Sequence, residues 1–371
     1  MEQVGVTLYD KDKKGNVKEW SVYHDGAEVV LRYGREDGKI QEKRTTSIGK
    51  NLGRANETSP EEQAEKEATA KYTKQLKKGY KTSKDNLGSL TLPPLAHRYQ
   101  DRKDSIKWPA YGSYKLDGVR MTAFYENGKV RFQSRGGECY PIIEEIAEEL
   151  KQAFFNQSPD LVIDGELYRH GMFLEDITAA VKKHNKDTHK LKFHVFDAYD
   201  PQGDEIPLKT RYMCYKGMIA FCSTELTKVI GLTQFKINNE DELMALHKLV
   251  VDQGYEGVVI RNMDSLFKFN QRTSDFQKYK VQMDEEFLVV GYEQGKNGCV
   301  SAICEVTVGI DTKTFKAPLI GTMEYQQEVL DRGDTGVYAC VVFEKYSKYG
   351  IPTKPKMKCF RKVDEKGEPL E

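Results

Sequence analysis

The chain has no apolar run long enough to cross a bilayer, and its opening stretch, MEQVGVTLYDKDKK, lacks the apolar core of a secretory leader. These absences predict a soluble, cytoplasmic protein that stays off membranes. An excess of either charge is missing too: 57 Lys and Arg stand against 57 Asp and Glu. No global field therefore draws the chain to nucleic acid, and any such binding must come from local patches. Cysteine is sparse and unpaired in pattern, with seven residues (139, 214, 222, 299, 304, 340 and 359) and no CxxC. That excludes a disulfide scaffold and a cysteine zinc site. Cys299 and Cys304 read as buried strand cysteines, and no HExxH occurs. His184, His189 and His194 read as a surface helix running into a strand.

What is present is 371 residues, enough for two or three domains with cores of their own. Residues 1–84 read as a small sheet followed by one helix, with Thr58 or Ser59 as N-cap, Pro60 in the first turn and a stop at Gly79. The lysines from 71 to 84 are either dipole complements on a solvated tail or a phosphate-contacting patch. Residues 85–108 read as a linker or the leading edge of the next domain, kept extended by Pro93 and Pro94. Residues 109–284 alternate short strands with helical segments, as in a mixed α/β domain of antiparallel sheets. Residues 285–371 read as all-β, most economically a five-stranded barrel.

Several residues in the central segment suit phosphoryl chemistry. Lys115 lies in SYKLDGVR, at the end of an alternating strand before the turn pair Asp117 and Gly118. As a nucleophile it would have to be deprotonated, against a reference pKa of about 10.4, so desolvation or nearby cations are required. Lys278 and Lys280, in FQKYK, alternate across Tyr279 and could reach a triphosphate from one side of a strand; alone, such a pair is ordinary surface. Glu166 in LVIDGELY and Glu256 in GYEGVVIRN are acids in apolar settings, suited to a metal, a ribose or a structural ion pair. Arg135 in FQSRGG is offered by a glycine turn. Phe196 in KFHVFDAYD lies on the strand face opposite Phe193, Val195 and Asp197, where it is either a base-stacking ring or a core aromatic.

The ordered series KLDGVR, SRGG, DGELY, FHVFDAYD, EGVVIR and KYK, between about 92 and 284, resembles the motif set of covalent nucleotidyltransferases. It is most similar to the compact ATP-dependent DNA ligases of phages and bacteria. The resemblance implies an ATP-grasp-like nucleotidyltransferase domain followed by an OB-fold β-barrel, a multidomain α+β protein overall. It implies ATP as cosubstrate, Mg²⁺ with Mn²⁺ as a substitute, and nicked double-stranded DNA as partner, bound by a monomer. RNA ligation and non-catalytic binding of nicks or ends are the alternatives.

Carried across, Lys115 would form the phosphoramide with AMP, and Arg120 would contact ribose and phosphates. Arg135 would bind the 5′-phosphate of the nick, and Glu166 the ribose hydroxyl. Phe196 would stack on adenine opposite Ile260 or Val258. Glu256 would hold the metal, with Glu166 and Asp117 as further carboxylates, while Lys278 and Lys280 would clamp the α-phosphate. Ser113 and Tyr114 would complete the nucleotide site, although Ser113 stands where many ligases carry an acid or similar acceptor. Lys356, Lys358, Arg361 and Lys362 would orient pyrophosphate or touch the DNA backbone. Residues 3–83 resemble a WGR domain, which implies DNA contacts through Arg32, Arg35, Lys77 and Lys78, with Trp20 or Tyr33 nearby.

Overall fold

The computed structural model describes residues 1–12, 15–84, 92–201, 205–280, 282–295 and 297–361, and of Lys77 only the backbone. The chain divides into two compact units. One comprises Met1–Met244 with Val259–Lys278, the other Ala245–Val258 with Tyr279–Glu371.

The first unit begins with an antiparallel sheet. Glu2–Gln3 and Leu8–Lys11 both pair with Val17–Asp25, which continues through Glu28–Arg35 to Gln41–Thr46. Helix Pro60–Lys77 starts where the sequence signals it, at Ser59, whose hydroxyl accepts from Glu62 N–H while the Glu62 carboxylate accepts from Ser59 N–H. Its alanines at 64 and 68 close over Leu8, Trp20, Val22 and Val29, so this sheet and helix share one apolar core. Trp20 is therefore a core residue, and the DNA role expected of it falls away.

Two further sheets follow. One runs, edge to edge, Cys139–Tyr140, Lys129–Ser134, Val119–Glu126, Val162–Tyr168, Lys192–Tyr199 and Val229–Gly231. The other runs Phe235–Ile237, Ala110–Lys115, Gly257–Asn262, Arg272–Tyr279 and Leu95–Arg98. Part of the expected linker is thus structural: Leu95–Arg98 pairs in parallel with residues 272–278. A four-residue edge strand whose partner lies far along the chain shows no period of its own, while residues 85–91 of that stretch fall outside the described ones.

In the second unit, Asp311–Pro318, Val300–Val308, Met283–Gln294, Val337–Phe343 and Lys356–Arg361 form an antiparallel sheet in that spatial order. Its inner face is a continuous cluster of Val289, Cys304, Phe315, Val341, Phe343 and Met357. An isolated parallel bridge joins Leu319 to Met357, where Ile320 N–H donates to the Met357 carbonyl at 2.9 Å. This segment is not all-β as expected. Helix Met323–Arg332 interrupts it, capped by the Thr322 hydroxyl and ended by Gly333 in the left-handed region, and it buries Gln326 and Val329. Of the two cysteines expected in strands, Cys304 is buried in one and its thiol is pushed up to about 12 by burial. Cys299 is half-buried in the turn before it. No helix among the described residues is long and apolar enough to cross a membrane.

Candidate active site

Lys115 is the last residue of Ala110–Lys115, and the chain reverses over Leu116, Asp117 and Gly118 before Val119–Glu126 begins. Only glycine fits at 118: a Cβ there would lie 2.4 Å from the Leu167 carbonyl oxygen and 2.9 Å from Glu166 Cγ. The turn after the lysine is thereby pressed against the strand that carries Glu166, across the register Glu166↔Arg120 and Leu167↔Val119. Gly118→Ala should cost about 1–3 kcal/mol in overpacking and displace both sides of the turn. Chemical denaturation and the rate of covalent nucleotide capture measured together will check this; an undisturbed rate would show that the turn tolerates the shift.

These elements surround a cavity of about 220 Å³ inside the first unit, far larger than the ~30 Å³ share of a water molecule and so sized for an organic ligand. Its lining brings together eight residues expected from the sequence: Ser113, Tyr114, Lys115, Arg120, Arg135, Glu166, Phe196 and Lys278. Arg135 is exposed on the tight turn at Ser134–Gly137, closed by Gly137 N–H donating to the Ser134 carbonyl at 2.9 Å.

Arg120 is held by several partners at the cavity. Its fork donates to Asp164 at 3.0 and 2.5 Å, and a third N–H donates to the Pro94 carbonyl at 2.6 Å. The guanidinium also lies over the rings of Phe196 and Phe276, at 5.3 and 5.8 Å. It is a wall of the site as much as a reaching arm.

The strand bearing Phe196 is anchored by Asp197 on its other face. This fully buried carboxylate takes two N–H groups of Arg211, at 2.8 and 3.0 Å, and one from Arg261. Burial drives the Asp197 carboxyl upward, but the two guanidiniums outweigh it and hold it below the ordinary range. Arg261 also donates to the Phe196 carbonyl at 3.2 Å and lines the cavity.

Ile260 is corrected by the structure. It is fully buried, as is Val258, whereas Val259 between them lines the cavity. Alternation along Gly257–Asn262 allows one parity in the core and the other at the site, and the odd residue faces the ligand space. Leu232, Gln234, Arg272 and Phe276 also line the cavity and were not foreseen. Phe276 shares parity with Lys278, a signal that was available. Asp117 is half-buried in the turn and is not part of the lining.

In the second unit, Lys280 lies just past the end of Arg272–Tyr279. Its ammonium contacts Glu256 at 2.9 Å and Glu344 at 2.5 Å, and Glu344 also pairs with Lys354 at 2.7 Å. Burial raises the Glu344 carboxyl, but Lys280 and Lys354 more than offset it and hold it at about 2. A carboxyl depressed from 4.5 contributes stability that is complete above that pH and is lost as pH falls toward about 2. Glu344→Gln should therefore lower the unfolding free energy at pH 7 by an amount on the order of 2 kcal/mol, and the gap to wild type should narrow below pH 4.5 and close only as pH falls toward about 2. A gap that stays constant over a thermal series across that range would exclude the linkage. Among the described residues no group of three or more Asp, Glu, His or Cys side chains forms a metal cage. A donor set of single carboxylates suits Mg²⁺, which takes one or two from protein and the rest from phosphates and water.

The expected DNA contacts are differently engaged. Arg32 pairs with Glu42 at 2.8 Å and Arg35 with Asp12 at 3.1 Å, while Lys78 is exposed at the end of its helix. Lys356 and Lys358 are exposed, Arg361 is 3.5 Å from Glu286, and Lys362 lies outside the described residues, as does the Lys77 side chain.

Residues 93–280 match the family model described as the ATP dependent DNA ligase domain. The DNA ligase of African swine fever virus, isolate Tick/Malawi/Lil 20-1/1983, is 29% identical over 301 residues, 76% of this chain and 69% of that protein. The DNA ligase of Haemophilus influenzae is 30% identical over 185 residues, half of this chain and 62% of its own. Among solved structures, Pmar-Lig_Pre superposes with a TM-score of 0.66 at 22% identity, over 80% of this chain and 72% of that one. A Lig E DNA ligase gives a TM-score of 0.60 at 19% identity, over 73% of this chain and all of its own. The readings as an RNA ligase or a non-catalytic binder give way before these matches. Because the matched span encloses every residue lining the cavity, the fold, the site and the sequence agree that this chain belongs to the ATP-dependent DNA ligase family.

Proposed function

We propose that the chain seals nicks between a 3′-hydroxyl and a 5′-phosphate in duplex DNA, with Lys115 as the covalent carrier of AMP. The observation that carries the assignment of roles is the single cavity that Lys115, Arg135, Glu166, Phe196 and Lys278 all line.

In the first step Lys115 Nζ attacks the α-phosphorus of ATP, forming a phosphoramide as the bond to pyrophosphate breaks. Phe196 and Val259 hold the adenine between them, Ser113 and Tyr114 border it, and Glu166 accepts from the ribose. Lys278 neutralises charge developing at the α-phosphate. In the second step a 5′-phosphate oxygen of the nick, oriented by Arg135, attacks the same phosphorus and releases Lys115. In the third the 3′-hydroxyl displaces AMP and closes the backbone.

Glu256 and Glu166 are the carboxylates assigned to Mg²⁺, with Asp117 as a further donor; the ion would offset phosphate charge. Lys280 is assigned to the phosphates by its place in the motif series. The sheet order in the second unit, with its parallel bridge at Leu319 and Met357, supports an OB-fold reading of residues 285–371. Exposed Lys356 and Lys358, with Arg361, would meet the DNA backbone there. A WGR-like role for residues 1–84 rests on Lys78 and on Arg32 and Arg35 exchanging their acidic partners for phosphate.

The test is incubation with ATP labelled at the α-phosphate and Mg²⁺, a denaturing gel, and a chase with nicked DNA. Label on the protein, discharged by nicked duplex with appearance of a sealed strand, is expected. Protein that never takes label, or label that nicked DNA cannot discharge, would overturn the proposal.

A further inference from the structure

The cavity lining combines the cations Lys115, Arg120, Arg135, Arg261, Arg272 and Lys278 with the apolar Phe196, Leu232 and Val259. The same lining holds a neutral carboxamide, Gln234, which is only 6% exposed. Neither its Oε1 nor its Nε2 has a hydrogen-bond partner. The Tyr215 hydroxyl lies beside the amide and donates to the Leu232 carbonyl at 3.3 Å. A buried amide with both polar atoms unsatisfied is costly and uncommon in native proteins, and a cavity wall is where a ligand can satisfy it.

Its place is set by strand register. Phe235 lies opposite Gly112 in an antiparallel pair, so Gln234 continues that register to Ser113, two residues before Lys115. Its own backbone N–H donates to the Tyr212 hydroxyl at 3.3 Å, which anchors the main chain. A carboxamide presents one acceptor and one donor in a plane. Adenine presents the complement, an exocyclic amino donor beside a ring-nitrogen acceptor.

We propose that Gln234 reads the base of the nucleotide, Oε1 accepting from the adenine amino group and Nε2 donating to the adjoining ring nitrogen. The inference rests on the cavity being the nucleotide site described above. It supplies an acceptor for the base in a site where Ser113 stands at the position at which many ligases carry an acid. A purine without the amino group leaves Oε1 buried and unpaired, and the penalty for that is what creates selectivity.

The experiment compares equilibrium binding, without divalent metal, of ATP and of purine riboside 5′-triphosphate, which has the same ring system and no amino group. Wild type should bind ATP at least about tenfold more tightly. Gln234→Met, similar in volume and without polar atoms to satisfy, should bring that ratio to within about twofold while leaving Tm unchanged or higher. Equal affinities in wild type would overturn the inference with no variant needed. A Gln234→Met protein that melts lower, or fails to fold, with the ratio intact in whatever folds, would mark the amide as structural and overturn it as well. Binding requires no chemistry, so an absence of covalent label would sink the ligase proposal while leaving this ratio readable.

Discussion

Lys115→Ala and Lys115→Arg should each take up no covalent AMP, a loss of at least about 10³-fold in adenylation, while still binding ATP. The reason is the division of labour within the cavity. Aromatic, apolar and carboxamide groups and cations other than Lys115 line the same cavity, so on the proposed reading deleting one side chain would remove the nucleophile without emptying the site. The arginine variant keeps the positive charge and sharpens the test, because a guanidinium does not ionise to a nucleophile at working pH. The third step uses no lysine nucleophile. Sealing of a nick supplied with AMP already on its 5′-phosphate should therefore survive in part. Retained label in either variant, on a denaturing gel, would move the nucleophile elsewhere.

The largest effect on stability is expected at a residue that touches no ligand. Asp197→Ala would leave Arg211 and Arg261 buried without the carboxylate that now pairs both. Removing one partner from a buried ion pair costs roughly 3–5 kcal/mol, a large fraction of the 5–15 kcal/mol typical of a whole domain. Asp197→Asn should lose nearly as much, since it preserves shape and one hydrogen-bond acceptor but no charge. The folded-state carboxyl is held below its ordinary range, so wild type keeps this contribution above about pH 4 and loses it as acid protonates the group. The difference between wild type and Asp197→Asn should accordingly narrow in strong acid. Denaturant unfolding of both, taken at pH 7 and pH 3, gives the comparison, and an unfolding free energy at pH 7 lowered by less than about 1 kcal/mol would refute the role of hub.

Much of this site could be read from the chain alone because its signals are local. A lysine closing an alternating strand before Asp-Gly, an arginine on a Gly-Gly turn and an acid after Asp-Gly each specify backbone geometry within a few residues. Other features depend on which strands meet. Alternation in GVVIRN is plain, yet it cannot say which parity faces a cavity, and the site took Val259 in place of Ile260. Gln234 carries no local signal whatever; its meaning comes from standing beside Ser113, more than a hundred residues earlier. Arg32 looked available to DNA until the hairpin register set it directly across from Glu42. Helix Met323–Arg332 was legible in its Thr322 cap and its glycine stop, but a run of strand-like neighbours obscured it.

Along Gly257–Asn262 the same six residues serve two masters: Val258 and Ile260 fill the interior, while Val259 and Arg261 face the ligand space. Adding or deleting one residue there would exchange the two sets at a stroke, putting Ile260 against the cavity and Val259 into the interior. Length in this strand is consequently under stricter control than composition. Valine, isoleucine and leucine can trade places on either face at modest cost, but a residue gained or lost is absorbed without that exchange only in the turns on either side.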